Sequence, residues 1–340
     1  MKDRREFLKT SVLLGAFGLV HQWASARPVS DKLGSVLPMR KLIRNGEKVT
    51  AFGLGGWHVG NTNDPAVAER MVERAIEMGV RFYDTARVYQ NGGSEEFYGR
   101  FLTPKYRDEI FLMTKSHAKN ASDARTHIDL SLTALKTDHL DLWQIHTITT
   151  REDVDQRIDN GVLDVFLEAK EKGKTRYIGF TGHTSPATNL YFLKRLDKLG
   201  LEMDTSQMPL NVLDPSFESF QKNVLPVLLE KEYGVIAMKT MAGGSIMGRR
   251  IDTTPEWIKT EMIPDVVAKT GISLEDLHRY VYALPVSALV SGCNDLEQLE
   301  HNVNVLLNLK ELSEADMERL EKLVEPFAGG IVENYKRVLE

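Results

Sequence analysis

Between residues 39 and 310 the chain repeats one pattern eight times: a short apolar run, then a longer segment with helical periodicity. The runs fall at 51–54, 80–83, 110–114, 140–145, 176–180, 203–208, 235–238 and 287–290. Short, mostly apolar runs are the form taken by parallel strands covered on both faces. The segments between them carry helix signals. Asp64-Pro65 offers an N-cap followed by proline at the first helical position. Ala68, Met71, Val72, Ala75 and Ile76 then recur at helical spacing, and Gly79 is positioned to end that helix. Ser122 is the expected cap of a second helix, with Ala124, Ile128, Leu132 and Leu135 on one face. Lys172-Gly173 and Leu199-Gly200 end two more, and Leu296, Leu299, Val303 and Leu306 stripe the helix after the eighth run. Eight strand–helix units predict a (β/α)8 TIM barrel. Asn45-Gly46, between Leu42-Ile43 and Val49, predicts a hairpin with a two-residue turn capping the barrel ahead of its first strand. A doubly wound sheet is the alternative. It calls for Gly-x-Gly-x-x-Gly after the first strand, and Gly53-Leu54-Gly55-Gly56 breaks that pattern with His58.

No Pro/Gly/Ser-rich linker interrupts this pattern, so residues 39–340 are expected to form one domain. The chain of 340 residues has 43 Lys+Arg against 48 Asp+Glu, a net charge of −5. That lacks the basic surplus of a nucleic-acid binder. The single cysteine, Cys293, excludes an intramolecular disulfide, a cysteine-held cluster and a multi-cysteine zinc site. No metal site is expected, and stability must come from a large buried core.

The first residues read differently. Basic Arg4 and Arg5 precede Phe7-Leu8-Lys9, an apolar run spans 12–20, and Ala24-Ser25-Ala26 is a small-x-small cleavage site. This is the layout of an export signal. The paired arginines resemble the twin-arginine type, with a departure at Asp3. The apolar run is shorter than the roughly 18–20 residues needed to span a bilayer. The expectation is a cleaved signal over 1–26, an extension over 27–38, passage through the twin-arginine machinery, a periplasmic or otherwise exported enzyme, and no stable membrane insertion.

In a barrel, reactive groups stand at the C-terminal ends of the strands. There the sequence places Asp84, Lys115 and His146, with Tyr89 five residues beyond Asp84. An isolated Asp or Lys closing an apolar strand is costly to bury, whereas together they satisfy each other. A tyrosine titrates near 10, and a neighbouring ammonium is expected to lower that value. Asp84 would keep Lys115 charged, and His146 can donate a hydrogen bond to a carbonyl oxygen. The set suits proton delivery to a developing alkoxide. It holds no hydride, so a nicotinamide cofactor is implied.

The segment Asp84-Thr85-Ala86-Arg87-Val88-Tyr89 resembles the Asp-Thr-Ala-x-x-Tyr signature of the aldo/keto reductases. Ser94-Glu95-Glu96-Phe97-Tyr98-Gly99-Arg100-Phe101-Leu102 is similar to the helix that follows it. Residues 109–115 and 141–146 resemble that family's lysine- and histidine-bearing strands. The resemblance covers about residues 39–310. It implies a catalytic tetrad of Asp84, Tyr89, Lys115 and His146, with Tyr89 as proton donor. It implies reduction of an aldehyde or ketone, or the reverse, with NADP(H) as the family's usual cofactor and NAD(H) open. The competing expectation is a barrel that binds cofactor as a sensor without turnover.

The resemblance also implies cofactor contacts. Gly55 and Trp57 follow the first strand. Thr181 and Gln207 would face the carboxamide, although Gly182 stands where the family carries an amide side chain. Met238 replaces the ring that usually lies under the nicotinamide, Lys239 would approach the pyrophosphate, and Gly243 and Asp84 are further expected cofactor contacts. Ser291, Gly292, Gln298 and Asn302 would hold the adenosine end. Gln298 stands where an arginine usually meets the 2′-phosphate, so discrimination for NADP is expected to be weak, with Arg249 and Arg250 as compensating cations. Gly-Phe-Thr-Gly-His at 179–183 and Met238-Lys239 are similar to a subgroup with an iron–sulfur module, which one cysteine cannot supply. The small-molecule substrate would be selected by loops at 147–161 and 243–260 and by the C-terminal tail.

Overall fold

The structure is a computed structural model that describes residues 29–62, 64–248 and 259–337. The export-signal segment, Arg249 and Arg250 lie outside the described residues. The eight apolar runs become eight strands: β1 (Phe52–Gly55), β2 (Phe82–Asp84), β3 (Phe111–Ser116), β4 (Leu140–Ile145), β5 (Thr175–Thr181), β6 (Thr205–Pro209), β7 (Gly234–Met238) and β8 (Ala288–Ser291). Each pairs in parallel with the next, and β8 pairs with β1, closing the barrel. The principal helices outside are α1 (Pro65–Glu77), α2 (Gly93–Phe101), α3 (Ala121–Leu135), α4 (Val162–Glu171), α5 (Pro186–Leu199), α6 (Leu225–Glu230), α7 (Leu274–Ala283), α8 (Leu296–Leu307) and α9 (Glu314–Val324). Among the described residues no helix is long and apolar enough to cross a membrane.

The helices bury the stripes read from the sequence. In α1, Ala68, Met71, Val72, Ala75 and Ile76 are buried, and Asp64 Oδ1 accepts from Ala66 N at 2.9 Å. The cap of α3 is Asn120 rather than Ser122: Asn120 Oδ1 accepts from Asp123 N at 2.9 Å, so the helix starts one residue before Ser122.

The hairpin pairs Met39–Lys41 with Lys48–Thr50. Its turn differs from the expected two-residue Asn-Gly form. Gly46 N donates to Ile43 O at 2.9 Å, and Gly46, not Asn45, takes the left-handed conformation, at φ 101°. Asn45 is held otherwise: its Oδ1 accepts from Glu47 N at 3.1 Å and its Nδ2 donates to Tyr177 Oη at 3.2 Å. Arg40 ties this hairpin to the barrel through Tyr282 O and Val286 O, each at 2.7 Å. Within the stretch read as an extension lies a second hairpin, Val29–Asp31 with Gly34–Val36. The Asp31 carboxylate receives Arg81 Nε at 2.7 Å and Nη2 at 3.0 Å, fixing that hairpin to the start of β2.

Candidate active site

Side chains alternate along a strand, so every second residue faces the barrel axis. In β3 the inward row is Phe111, Met113 and Lys115; in β2 it is Phe82 and Asp84; in β5, Tyr177, Gly179 and Thr181. The lower members of these rows form one apolar cluster. The last member of each is polar, and these polar ends meet at the mouth.

The Lys115 ammonium is paired with Asp84 Oδ1 and donates to Thr85 O at 2.8 Å. Both side chains are almost fully buried, at 1% and 4% exposure. From β6, Gln207 Nε2 reaches Asp84 Oδ2 at 3.4 Å. The Lys115 ammonium also stands 5.0 Å from the Tyr89 ring centroid, close enough for each group to act on the other's charge. The Tyr89 ring meets Trp57 edge-on at 5.1 Å and His146 at 5.7 Å. Tyr89 and His146 are only partly buried, so they form the accessible front of an ion pair sealed behind them.

Local chain geometry fixes these positions. Tyr89 opens a tight turn, Tyr89–Gly92, in which Gln90, Asn91 and Gly92 all have positive φ. A side chain at position 92 has no room: its Cβ would fall on the Arg87 guanidinium. Arg87 uses that space to reach Glu95 Oε2 at 2.6 Å and Asn91 O at 3.1 Å. The buried Glu95 carboxylate also accepts from Thr114 and Ser131, each at 2.6 Å, joining α2 to β3 and α3. His146 stands one residue past β4, where its N–H donates to Ser116 O at 2.8 Å. The next residue, Thr147, has φ 53° and donates its N–H to Thr181 Oγ1 at 2.8 Å. Arg157, on the helix Arg151–Asp159, holds Thr147 O at 3.2 Å and Ala118 O at 3.2 Å.

Electrostatics divide the roles. Burial opposes the Lys115 charge, but Asp84 and Tyr89 together raise its pKa above the usual lysine value, so it stays an ammonium. Burial raises the Tyr89 phenol above 10, and Lys115 offsets this only in part. The expectation of a lowered tyrosine pKa is therefore corrected: desolvation outweighs the cation, and the phenol keeps its proton until it is needed. His146 is pushed well below the usual histidine range by burial, and then by Lys115 and nearby cations. It is a neutral imidazole at pH 7.

The residues assigned to the cofactor fall into two groups. Thr181 and Gln207 are register partners on β5 and β6 and adjoin the tetrad through Asp84. Gln207 Oε1 is buried with no hydrogen-bond partner among the described residues. Met238 ends β7, and the following Lys239 has no carboxylate partner among the described residues; its ammonium faces the Tyr335 ring at 5.7 Å. Gly243 lies in the next loop at φ 67°. The second group gathers at β8 and α8. Asn302 Nδ2 donates to Ser291 Oγ at 3.3 Å, and Gln298 Oε1 accepts from Asn294 N at 2.9 Å. Gly55 is the link: it pairs with Asp84 across β1–β2 and lies against Gly292 from β8. A buried unpaired amide oxygen and an unneutralised lysine fit a carboxamide and a phosphate, as a nicotinamide dinucleotide demands.

Sequence reasoning passed over Asn189 in α5 and the tail residues Glu333, Tyr335 and Lys336. Asn189 carried a signal: it is a polar residue on the apolar stripe Asn189, Phe192, Leu193, Leu196, all buried. The tail carried none, because its partners Asn211 and Asp214 are more than a hundred residues away.

Comparisons with known proteins agree with this architecture. The uncharacterized oxidoreductase YqkF of Bacillus subtilis is 26% identical over 314 residues, covering 83% of this chain and 95% of its own length. The L-galactose dehydrogenase of Arabidopsis thaliana is 25% identical over 313 residues, covering 85% of this chain and 95% of its own length. The holo form of an aldo-keto reductase from Bacillus halodurans superposes with a TM-score of 0.67 at 22% identity, over 84% of this chain and 96% of that one. The profile of the aldo/keto reductase family matches residues 51–325, from the threshold of β1 past the end of α9, and the chain belongs to that family.

Proposed function

We propose that Asp84, Tyr89, Lys115 and His146 carry out NAD(P)H-dependent reduction of an aldehyde or ketone, or the reverse oxidation, with Tyr89 as proton donor. The observation that carries this reading is the buried Lys115 ammonium, paired with Asp84 and set 5.0 Å from the Tyr89 ring centroid. A nicotinamide dinucleotide held there would supply the hydride. The chain's own residues act on the oxygen. Neutral His146 donates an N–H bond that orients it, and the Tyr89 O–H gives up its proton as negative charge develops there. Lys115 stabilises the phenolate left behind, and Asp84 keeps Lys115 charged and fixed. Solvent at the mouth then reprotonates Tyr89. Thr181 and Gln207 would hold the carboxamide, Lys239 and Gly243 the pyrophosphate, and Ser291, Gly292, Gln298 and Asn302 the adenosine end. Trp57, edge-on to Tyr89, would stand near the nicotinamide. A sensor barrel without turnover has no supporting feature, since the tetrad is complete.

Turnover of NADPH and NADH on a carbonyl panel tests the reading. The sugar oxidoreductase among the relatives puts hydroxylated carbonyls on that panel beside simple aldehydes. Absence of turnover on every substrate, with dinucleotide still bound, would overturn it.

The same proposal extends to location. Arg4-Arg5, the apolar run and Ala24-Ser25-Ala26 support export through the twin-arginine route, with a mature chain beginning near Arg27 and a periplasmic or otherwise exported enzyme. That route suits an enzyme that takes up its cofactor before leaving the cytoplasm. Replacing Arg4-Arg5 by Lys-Lys should block export of the precursor; normal export of that variant would refute the assignment.

A further inference from the structure

Four buried amide oxygens have no hydrogen-bond partner among the described residues, those of Gln90, Gln144, Asn189 and Gln207, and two of these, Gln207 Oε1 and Asn189 Oδ1, belong to residues joined through Gly182 at the end of β5. Both residues are almost fully buried, at 1% and 0% exposure. Each amide is oriented by its other end. Gln207 gives its Nε2 to the Asp84 carboxylate at 3.4 Å, and Asn189 gives its Nδ2 to Gly182 O at 3.4 Å. Turning either amide over would set an oxygen against an oxygen, so the free acceptors are fixed by their surroundings. A buried acceptor without a donor is costly, and two on residues joined through one strand end mark a place for a group that donates.

The two amides belong to one small region. Gln207 is the register partner of Thr181, and Gly182 N donates to Gln207 O at 3.2 Å. Asn189 reaches this point from α5 because position 182 has no side chain. A Cβ on Gly182 would lie 2.0 Å from Asn189 Oδ1 and 2.8 Å from its Cγ. The amide of Asn189 thus fills the volume that a residue at 182 would use. Beside them Thr181 Oγ1 accepts from Thr147 N at 2.8 Å, which leaves its own proton to donate.

We infer that Asn189 is a cofactor-positioning residue: with Gln207 and Thr181 it completes a receptor for the carboxamide of the nicotinamide, replacing from α5 the amide that the strand end lacks at Gly182. The chemistry matches group by group. A primary carboxamide has two N–H donors and one carbonyl acceptor; the receptor offers two free acceptor oxygens and one free hydroxyl donor. The inference rests on the nicotinamide reading above and adds to it the residue that orients the ring.

The test compares ligands with and without that group, read by fluorescence titration and needing no turnover. NADPH and NADH carry the carboxamide; 2′-phospho-ADP-ribose and ADP-ribose lack the whole nicotinamide; the reduced 3-acetylpyridine dinucleotides replace the amino group by methyl. Asn189→Ala should weaken binding of NADPH and NADH by about 3- to 10-fold, the worth of one hydrogen bond. It should leave both ADP-ribose ligands unchanged and reduce the wild-type preference for the carboxamide over the acetyl analogue. Asn189→Ala with Gly182→Asn, in which the new side chain enters the vacated volume, should recover most of that preference. Equal weakening of the nicotinamide-bearing and nicotinamide-free ligands would show a merely structural asparagine and overturn the inference. So would an unchanged preference for the carboxamide. Wild-type protein that binds the ADP-ribose ligands but gains nothing from the nicotinamide would refute the receptor, while failure to bind any of these ligands would refute the cofactor reading beneath it.

Discussion

The floor and the mouth of the barrel are made by the same strands and governed by different physics. At the floor the inward residues Phe82, Phe111, Met113, Leu142, Tyr177, Ile236, Ala288 and Val290 pack with Leu42, Ile43 and Val49 of the hairpin. One inward step later, about 7 Å along the strand, β2 and β3 present Asp84 and Lys115 instead. Burial at the floor is favourable in itself and non-directional, so it tolerates substitutions that conserve volume. Burial at the mouth is unfavourable to each charge alone, and it holds only because partners are placed to within a hydrogen bond. The floor supplies stability; the mouth uses some of it to keep a cation beside a phenol.

The largest effect should follow from removing one oxygen at the mouth. Tyr89→Phe should lower kcat by about 100-fold or more, with cofactor affinity and melting temperature close to wild type. Near-normal kcat on a good substrate would end the assignment of Tyr89. Lys115→Met should also depress turnover and shift the apparent pKa of the proton donor upward, because the phenolate loses its cation while burial still raises it. An active Lys115→Met variant with an unchanged pH–rate profile would reject that role.

The floor should respond in the opposite way. Ile236→Ala should cost about 2–5 kcal/mol in unfolding free energy, and Ile236→Val about 0.5–1.5 kcal/mol, by denaturant titration. Activity per folded molecule should not change. A variant that stays fully folded but loses turnover would show that the two ends are coupled rather than independent.

Acid should sharpen the contrast further. Burial lowers His183 and His278 to about 3 and pushes His146 well below 6.5. The unfolded chain takes up protons at these histidines below about pH 6.5, whereas the fold refuses them. Stability is therefore full above pH 6.5 and falls as the pH drops toward 3, by about 1.4 kcal/mol per pH unit for each such histidine. His278 lies in α7, away from the mouth; neither ring nitrogen has a partner among the described residues, and His301 is the titratable group beside it. His278→Leu should flatten the acid limb by one proton's slope and leave the pH–rate profile alone. An unaltered slope would place the acid sensitivity elsewhere.

What the sequence disclosed follows the same division. All eight strands were legible because each is a short apolar run bounded by helix signals, and the places of Asp84, Lys115 and His146 at the barrel mouth were legible because polar residues end those runs. The turn at Asn45-Gly46 was displaced because Asn45 is occupied by Glu47 N and the Tyr177 hydroxyl, a contact with β5 that local sequence does not carry. The pKa of Tyr89 was read in the wrong direction because a neighbouring cation is visible in a motif and desolvation is not. Lys336, fully buried between Asp214 Oδ1 at 2.7 Å and Glu333 Oε1 at 2.9 Å, carries no local signal of this, because its setting depends on a partner 122 positions earlier.

The smallest effect tests the outer end of the proposed cofactor site. Gln298 does not reach outward: its Oε1 accepts from Asn294 N at 2.9 Å and Nδ2 at 3.3 Å, and its own N–H caps onto Asp295 Oδ1 at 2.8 Å. It offers no cation to a 2′-phosphate, and Asp295 and Glu297 add negative charge on either side. NADPH should therefore be favoured over NADH by much less than roughly 1000-fold, about 4 kcal/mol. Gln298→Arg supplies the missing charge at a partly exposed position, where ion pairs contribute little and salt screens them. The expected gain is roughly three- to tenfold in NADPH affinity, about 0.6–1.4 kcal/mol, shrinking as ionic strength rises, with NADH affinity unmoved. An equal gain for both dinucleotides would mean that position 298 does not face the phosphate. A wild-type preference above the 1000-fold mark would mean that another cation already grips it, and Arg249 and Arg250 would be the first to replace.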